Sequence, residues 1–114
     1  MAQMSNKNNL IDKSYTDKCV EIAIKYSNSI LGFVSQEKLI KDEISSSKMF
    51  LYFTPGVSLI SRNDNIDQQY ITPQQAIKNG ADIIIVGRGI IQSENMLEEC
   101  KKYQKLAWNE YMKN

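Results

Sequence analysis

The sequence predicts an α/β fold with a parallel sheet, on two observations. Helically periodic segments alternate with short apolar, β-favouring runs in the order helix, strand, helix, strand, helix, strand, helix. The stretch Asp82–Gly89 has the form of a strand buried on both faces that ends abruptly in Gly-Arg-Gly and passes into a helix. In α/β proteins, small residues and a helix start after a buried strand form a cradle for phosphate. A phosphate-bearing ligand is therefore the first functional expectation.

Each element has its own signal. Residues 1–13 show little pattern beyond Asn and Lys. Ser14 or Thr16 is positioned to cap a helix running to about Ser27, with Cys19, Val20, Ala23 and Ile24 on one side. Ile30–Val34 is a short apolar run and predicts a buried strand. Gln36–Ile44 predicts a short helix or turn, and Ser45–Lys48 a polar linker. Met49–Thr54 is aromatic and β-favouring, and Pro55-Gly56 stops it. Ser61–Tyr70 predicts a polar loop, long for a compact domain. Thr72-Pro73-Gln74-Gln75 has the form of a helix start, with Thr72 as cap, Pro73 at the first position and Gln75 completing a capping box. Gly80 ends that helix in a left-handed conformation. Ser93 is positioned to cap a last helix to about Met112, with Leu97, Cys100, Ala107 and Tyr111 on or near one face.

Bulk composition narrows the function class. The 114 residues fit one small domain, and 42% hydrophobic with 24% charged residues marks a globular chain. A net charge of +1 gives no broad attraction to nucleic acid or to a membrane surface. The polar, Asn-rich start is no signal peptide, and no apolar run approaches the length of a membrane-spanning helix, so a cytoplasmic protein is expected. Cys19 and Cys100 are expected to be reduced core thiols, with a disulfide the alternative. The sequence has no histidine, so the commonest general base and neutral metal ligand are missing from it.

Arg88 is the sharpest candidate site residue. Its planar guanidinium matches phosphate oxygens, and Gly87 and Gly89 let backbone approach a ligand. Gln68, Gln69 and Tyr70 bring amides and a phenol directly before a helix start, where they can donate to a ligand or simply form a solvated loop. Thr54-Pro55-Gly56 taken alone is a turn. Asp64 and Asp67 share the polar loop, but without histidine or a second carboxylate cluster no metal site is expected.

Together these residues resemble the C-terminal half of the orotidine 5′-phosphate decarboxylase family, the domain that also ends bifunctional UMP synthases. The resemblance rests on Met4-Ser5 with Leu10, Tyr15-Thr16, Gly32-Phe33-Val34, Thr54-Pro55-Gly56-Val57, Gln68-Gln69-Tyr70 with Thr72-Pro73, and Asp82–Ile90. Trp108 and Tyr111 look like the family's last helix. It implies part of a (β/α)8 barrel, from the end of the fifth strand to the last helix. Met1–Ser5 would end strand five, Ile30–Val34 would be strand six, Met49–Thr54 strand seven and Asp82–Gly87 strand eight. Site residues then lie at C-terminal strand ends, where barrel enzymes bind substrate.

The resemblance also implies roles. Ser5 would hydrogen-bond the pyrimidine and Pro55 would line its pocket. Gln68 would bridge base and phosphate, Tyr70 would bond the phosphate, and Gly87 and Arg88 would offer a backbone N–H and a guanidinium. The implied reaction converts orotidine 5′-phosphate to UMP and CO2 with no cofactor and no metal. The implied partners are that nucleotide and, for a complete family domain, a second copy in a homodimer. Nucleic acid and membrane are not among them. Three positions depart from the family pattern: Asn8 and Asp67 stand where loop glycines are usual, and Gln3 replaces an acidic residue. The larger departure is chemical. The family's catalytic lysine lies in Asp-x-Lys-x-x-Asp, and no lysine here has that setting. The motif, with strands one to four, is expected upstream of Met1.

The family reading therefore covers the phosphate- and base-binding half of a decarboxylase. The alternatives are a non-catalytic remnant that binds a nucleotide monophosphate or associates with an intact subunit, and another phosphate-sugar barrel enzyme, against which Gln68-Gln69-Tyr70 argues. Three strands and a stub cannot close a barrel, so one sheet edge and the inner face are expected to stay open. The isolated chain is expected to fold poorly, to aggregate, or to pair with a complementary half.

Overall fold

The computed structural model describes residues 1–40, 50–60 and 69–113. Its first segment lies alongside the sheet: the Ala2 and Gln3 N–H groups both donate to the Val34 carbonyl, at 2.8 and 3.2 Å. Helix α1 spans Lys13–Lys25. Its cap is Asp12, whose carboxylate accepts from the Tyr15 N–H at 2.8 Å, rather than Ser14 or Thr16. Thr16 is buried instead, and its hydroxyl donates to the Ala2 carbonyl at 2.8 Å, tying α1 to the N-terminal segment. Ala23 is buried as the periodicity predicts, whereas Ile24 is exposed.

Strands β1 (Gly32–Val34) and β2 (Leu51–Thr54) pair in parallel, with Phe33 opposite Tyr52. Residues 36–40 form no helix, and Lys41–Met49 lie outside the described residues. Helix α2 spans Pro73–Lys78. The Thr72 hydroxyl accepts from the Gln75 N–H at 3.2 Å and Pro73 opens the helix. Only half of the expected capping box forms, because the Gln75 amide donates to Asn79 Oδ1 at 2.8 Å instead of turning back. Gly80 follows with φ +99°, the left-handed stop its position predicts.

Strand β3, Ile83–Ile84, pairs in parallel with β2 and completes the order β1-β2-β3. The strand expected to be buried on both faces is not: Ile83 and Ile85 are 40% and 42% exposed. It is an edge strand of the described sheet, and alternation turns both residues away from Ile84 and Val86, which pack in the cluster around Tyr103. Its hydrogen bonding runs one residue past each end: the Asp82 N–H donates to the Tyr52 carbonyl and the Ile85 N–H to the Thr54 carbonyl.

A short helix α3, Arg88–Ile91, follows, and then α4, Met96–Tyr111. The cap of α4 is Asn95, which accepts from the Glu98 N–H at 3.1 Å, and not Ser93, because the turns of α3 push the helix start past it. Leu97 and Cys100 are exposed, and the buried positions of α4 are Tyr103 and Glu110. Both cysteines are free thiols on helices, Cys19 half-buried and Cys100 at the surface, so Cys100 is not in the core. Among the described residues no helix is long and apolar enough to cross a membrane.

The described residues form two apolar clusters, one reaching β2 through Tyr52 and the other reaching its neighbour β3 through Ile84. One joins Ala2, Ala23, Phe33, Phe50 and Tyr52, with Phe33 stacked on Tyr52 at 5.7 Å between ring centroids. The other joins Val57, Ala76, Ile77, Ala81 and Tyr103. Together they form a β/α layer with an open sheet.

Candidate functional site

The C-terminal ends of the strands and the loops that follow carry the site candidates. Ser5 ends the N-terminal segment, Pro55-Gly56 follows β2 and Gly87-Arg88 follows β3. Parallel strands point these ends one way, so residues far apart in sequence share one rim.

Ser5 and the turn after β2 are in contact. Gly56 has φ +73°, and a Cβ there would sit 2.7 Å from the Ser5 Cβ and 3.0 Å from its Oγ. Only glycine accepts both that backbone and that approach. The Gln69 N–H donates to the Ser5 carbonyl at 3.1 Å, and the Ile71 N–H donates to the Gly56 carbonyl at 3.0 Å. The Ser58 N–H returns to the Ile71 carbonyl at 2.9 Å. The backbone of 69–71 is thus laced to the turn after β2 and to Ser5. Pro55 is half-buried, and its carbonyl accepts from the Gln36 side-chain amide at 3.3 Å.

Tyr70 and Arg88 meet from the other side. The Arg88 guanidinium lies 5.8 Å from the centroid of the Tyr70 ring, a cation–π distance. Gly87 caps α3, and apart from its chain neighbours nothing lies within 4 Å of where its side chain would be, so there is open space on that side of its backbone. A guanidinium, a phenol and an accessible backbone beside a helix start form a donor set suited to an oxyanion.

Sequence reasoning passed over the group that steadies this rim. Tyr103 is buried, and its hydroxyl accepts from the Leu59 N–H at 2.9 Å. The same hydroxyl sits so close to Gly89 that any Cβ there would collide with it. One side chain of α4 therefore fixes both the turn after β2 and the Gly-Arg-Gly turn. The signal was present, since Cys100, Tyr103 and Ala107 share helical spacing. Gln3 was noted only as a departure, yet its side-chain carbonyl accepts from the Gln36 N–H at 2.9 Å. An acidic residue could accept the same bond.

Five of the six predicted substrate-binding residues (Ser5, Pro55, Tyr70, Gly87 and Arg88) thus lie on the rim. Gln68 lies outside the described residues, as do Asp64 and Asp67. Among the described residues no three His, Cys, Asp or Glu side chains gather as a metal site would require.

The decisive observation is a family model, Orotidine 5'-phosphate decarboxylase / HUMPS family, that matches residues 1–103. The chain belongs to this family. Among curated relatives, it is 45% identical over 113 residues to the bovine uridine 5'-monophosphate synthase, covering 98% of this chain and 22% of that protein. It is 42% identical over 118 residues to the orotidine 5'-phosphate decarboxylase of Aspergillus oryzae, covering 99% of this chain and 43% of that one. The Penicillium chrysogenum decarboxylase is 43% identical over 115 residues, covering 98% of this chain and 41% of that one. The chain therefore spans less than half the length of each of these relatives. Its open parallel sheet fits part of the barrel of the decarboxylase family.

Proposed function

We propose that this chain forms the substrate-gripping half of an orotidine 5′-phosphate decarboxylase domain, from the end of the fifth barrel strand to the last helix. The observation that carries the reading is the Arg88–Tyr70 pair on the same rim as Ser5 and Pro55. Arg88, Tyr70 and the Gly87 N–H hold the nucleotide's phosphate. Ser5 bonds the pyrimidine ring, Pro55 forms a wall of its pocket, and Gln68 spans base and phosphate. Decarboxylation breaks the ring-carbon–carboxylate bond and leaves an electron pair that a proton must quench. This half holds the substrate by its phosphate and base, and the proton comes from an Asp-x-Lys-x-x-Asp lysine that this sequence does not contain.

The test is a chimera in which residues 1–114 replace the matching segment of the Penicillium chrysogenum enzyme. Conversion of orotidine 5′-phosphate to UMP is expected, and the 114-residue chain alone is expected to show none. A folded chimera without activity would count against the decarboxylase reading. A second reading is a chain that binds a nucleotide monophosphate without turning it over. UMP binding by the isolated chain together with an inactive chimera would select it.

A further inference from the structure

We infer that Tyr103, on the reading that this rim holds a nucleotide's phosphate, is the positioning residue for both loops of the phosphate grip. Its ring belongs to the core and its hydroxyl to the rim. The side chain is buried and packs in the cluster of Val57, Ala76, Ile77 and Ala81. Helix α4 carries it to the place where the turn after β2 passes the turn after β3.

Two series of contacts leave that hydroxyl. The first runs to Arg88. The hydroxyl occupies the space in which a Gly89 side chain would stand, with Tyr103 Cζ 3.1 Å and Ser58 Oγ 3.4 Å from that point. Gly89 therefore rests on the hydroxyl, and Arg88 directly precedes it in α3. The second runs to Tyr70. The hydroxyl accepts from the Leu59 N–H at 2.9 Å. The neighbouring Ser58 N–H donates to the Ile71 carbonyl at 2.9 Å, and Val57 bridges to Ile71 in parallel. Ile71 directly follows Tyr70. The two series meet again at the rim, where the Arg88 guanidinium lies 5.8 Å from the Tyr70 ring centroid. One buried oxygen thus supports both members of the pair.

The oxygen is what matters for function, and the ring for packing. Phenylalanine at 103 would keep the ring in its cluster. It would leave the part-buried Leu59 N–H without this acceptor and open a gap beneath Gly89. Both turns would then be free to shift, and a binding constellation tolerates shifts of only about 0.5 Å. The base side of the rim is held differently. Ser5 is tied through the Gln69 N–H, and Pro55 through the Gln36 amide. Loss of the Tyr103 oxygen should therefore act on the phosphate and spare the base.

The test uses the chimera with the Penicillium chrysogenum decarboxylase, native and with Tyr103→Phe. UMP and uridine, which differ only in the phosphate, compete against radiolabelled UMP. Tyr103→Phe should weaken UMP by roughly 10-fold, the order of one lost hydrogen bond, and leave uridine within about twofold. Arg88→Ala should show the same selectivity with a larger loss, because it removes the charge itself. Gly89→Ala presses on the same oxygen from the other loop and leaves the Tyr103 ring intact. It should also weaken UMP and spare uridine, which keeps the test open if Tyr103→Phe does not fold. Equal weakening of both ligands would make Tyr103 a core residue only and overturn the proposal. Unchanged UMP affinity in Tyr103→Phe would overturn it as well, while UMP still bound far better than uridine would leave the decarboxylase reading standing. A native chimera that binds UMP no better than uridine would remove the phosphate grip, and both readings with it.

Discussion

At the scale of single residues, the rim depends on one charge and two glycines. Arg88→Ala in the chimera is expected to weaken UMP binding by about 2–3 kcal/mol, the order of a lost charge-assisted hydrogen bond. Arg88→Lys should recover only part of that, because an ammonium cannot present a fork. Unchanged calorimetric affinity for UMP in Arg88→Ala would remove Arg88 from the site. Gly89→Ala should destabilise the fold by about 1–3 kcal/mol, since its methyl must displace the buried Tyr103 hydroxyl. Urea unfolding of Gly89→Ala alone and combined with Tyr103→Phe checks this. If Tyr103 is the obstacle, the two effects will not add. The place of Arg88, between two glycines directly after the last strand, was legible in the sequence; its phosphate-binding role is what the family resemblance implies. Tyr103 was not, since its role depends on Leu59 and Gly89, which only the folded chain brings to it.

At the scale of elements, caps and cross-helix charges decide more than propensity does. Thr72→Ala should cost about 1 kcal/mol, read from the urea midpoint, because α2 has six residues and little else to hold its start. Glu110 links α4 to its surroundings: Lys113 bonds it at 2.9 Å and Lys78 of α2 lies 4.0 Å away. The hydrogen bond from Lys113 is the main cause that holds its carboxyl below the ordinary carboxylate range, and burial partly opposes it. A carboxyl lowered by folding stabilises the fold above its unfolded pKa, and that contribution is lost as pH falls through its folded value. The stability advantage of the native chain over Glu110→Gln should therefore shrink as pH falls from about 6 toward about 3. A constant difference across that range would mean that the Glu110 charge does not contribute. Most of the element order was legible, because alternation and the Thr72-Pro73 start are local signals; residues 36–40 form no helix between β1 and β2, and the short α3 before α4 was not foreseen as an element. The caps of α1 and α4 were not: several Ser, Thr, Asp and Asn residues compete there, and packing selects Asp12 and Asn95.

At the scale of the whole molecule, an open sheet has consequences for cooperativity. The cluster around Phe33 and the cluster around Tyr103 are bridged by β2, four residues long. In a closed barrel each strand has two neighbours and a filled interior, so loss of one cluster exposes the other. Among the described residues that coupling passes through β2 and a few hydrogen bonds, such as those from the Gln69 N–H to the Ser5 carbonyl and from the Lys38 N–H to the Asn79 carbonyl, and the exposed Ile83 and Ile85 add little. Amide hydrogen exchange on the dilute chain should therefore show two levels of protection. One belongs to α1 with β1, and the other to α2 with the Tyr103 turn of α4. A single level across both regions would show instead that the layer opens as one cooperative unit.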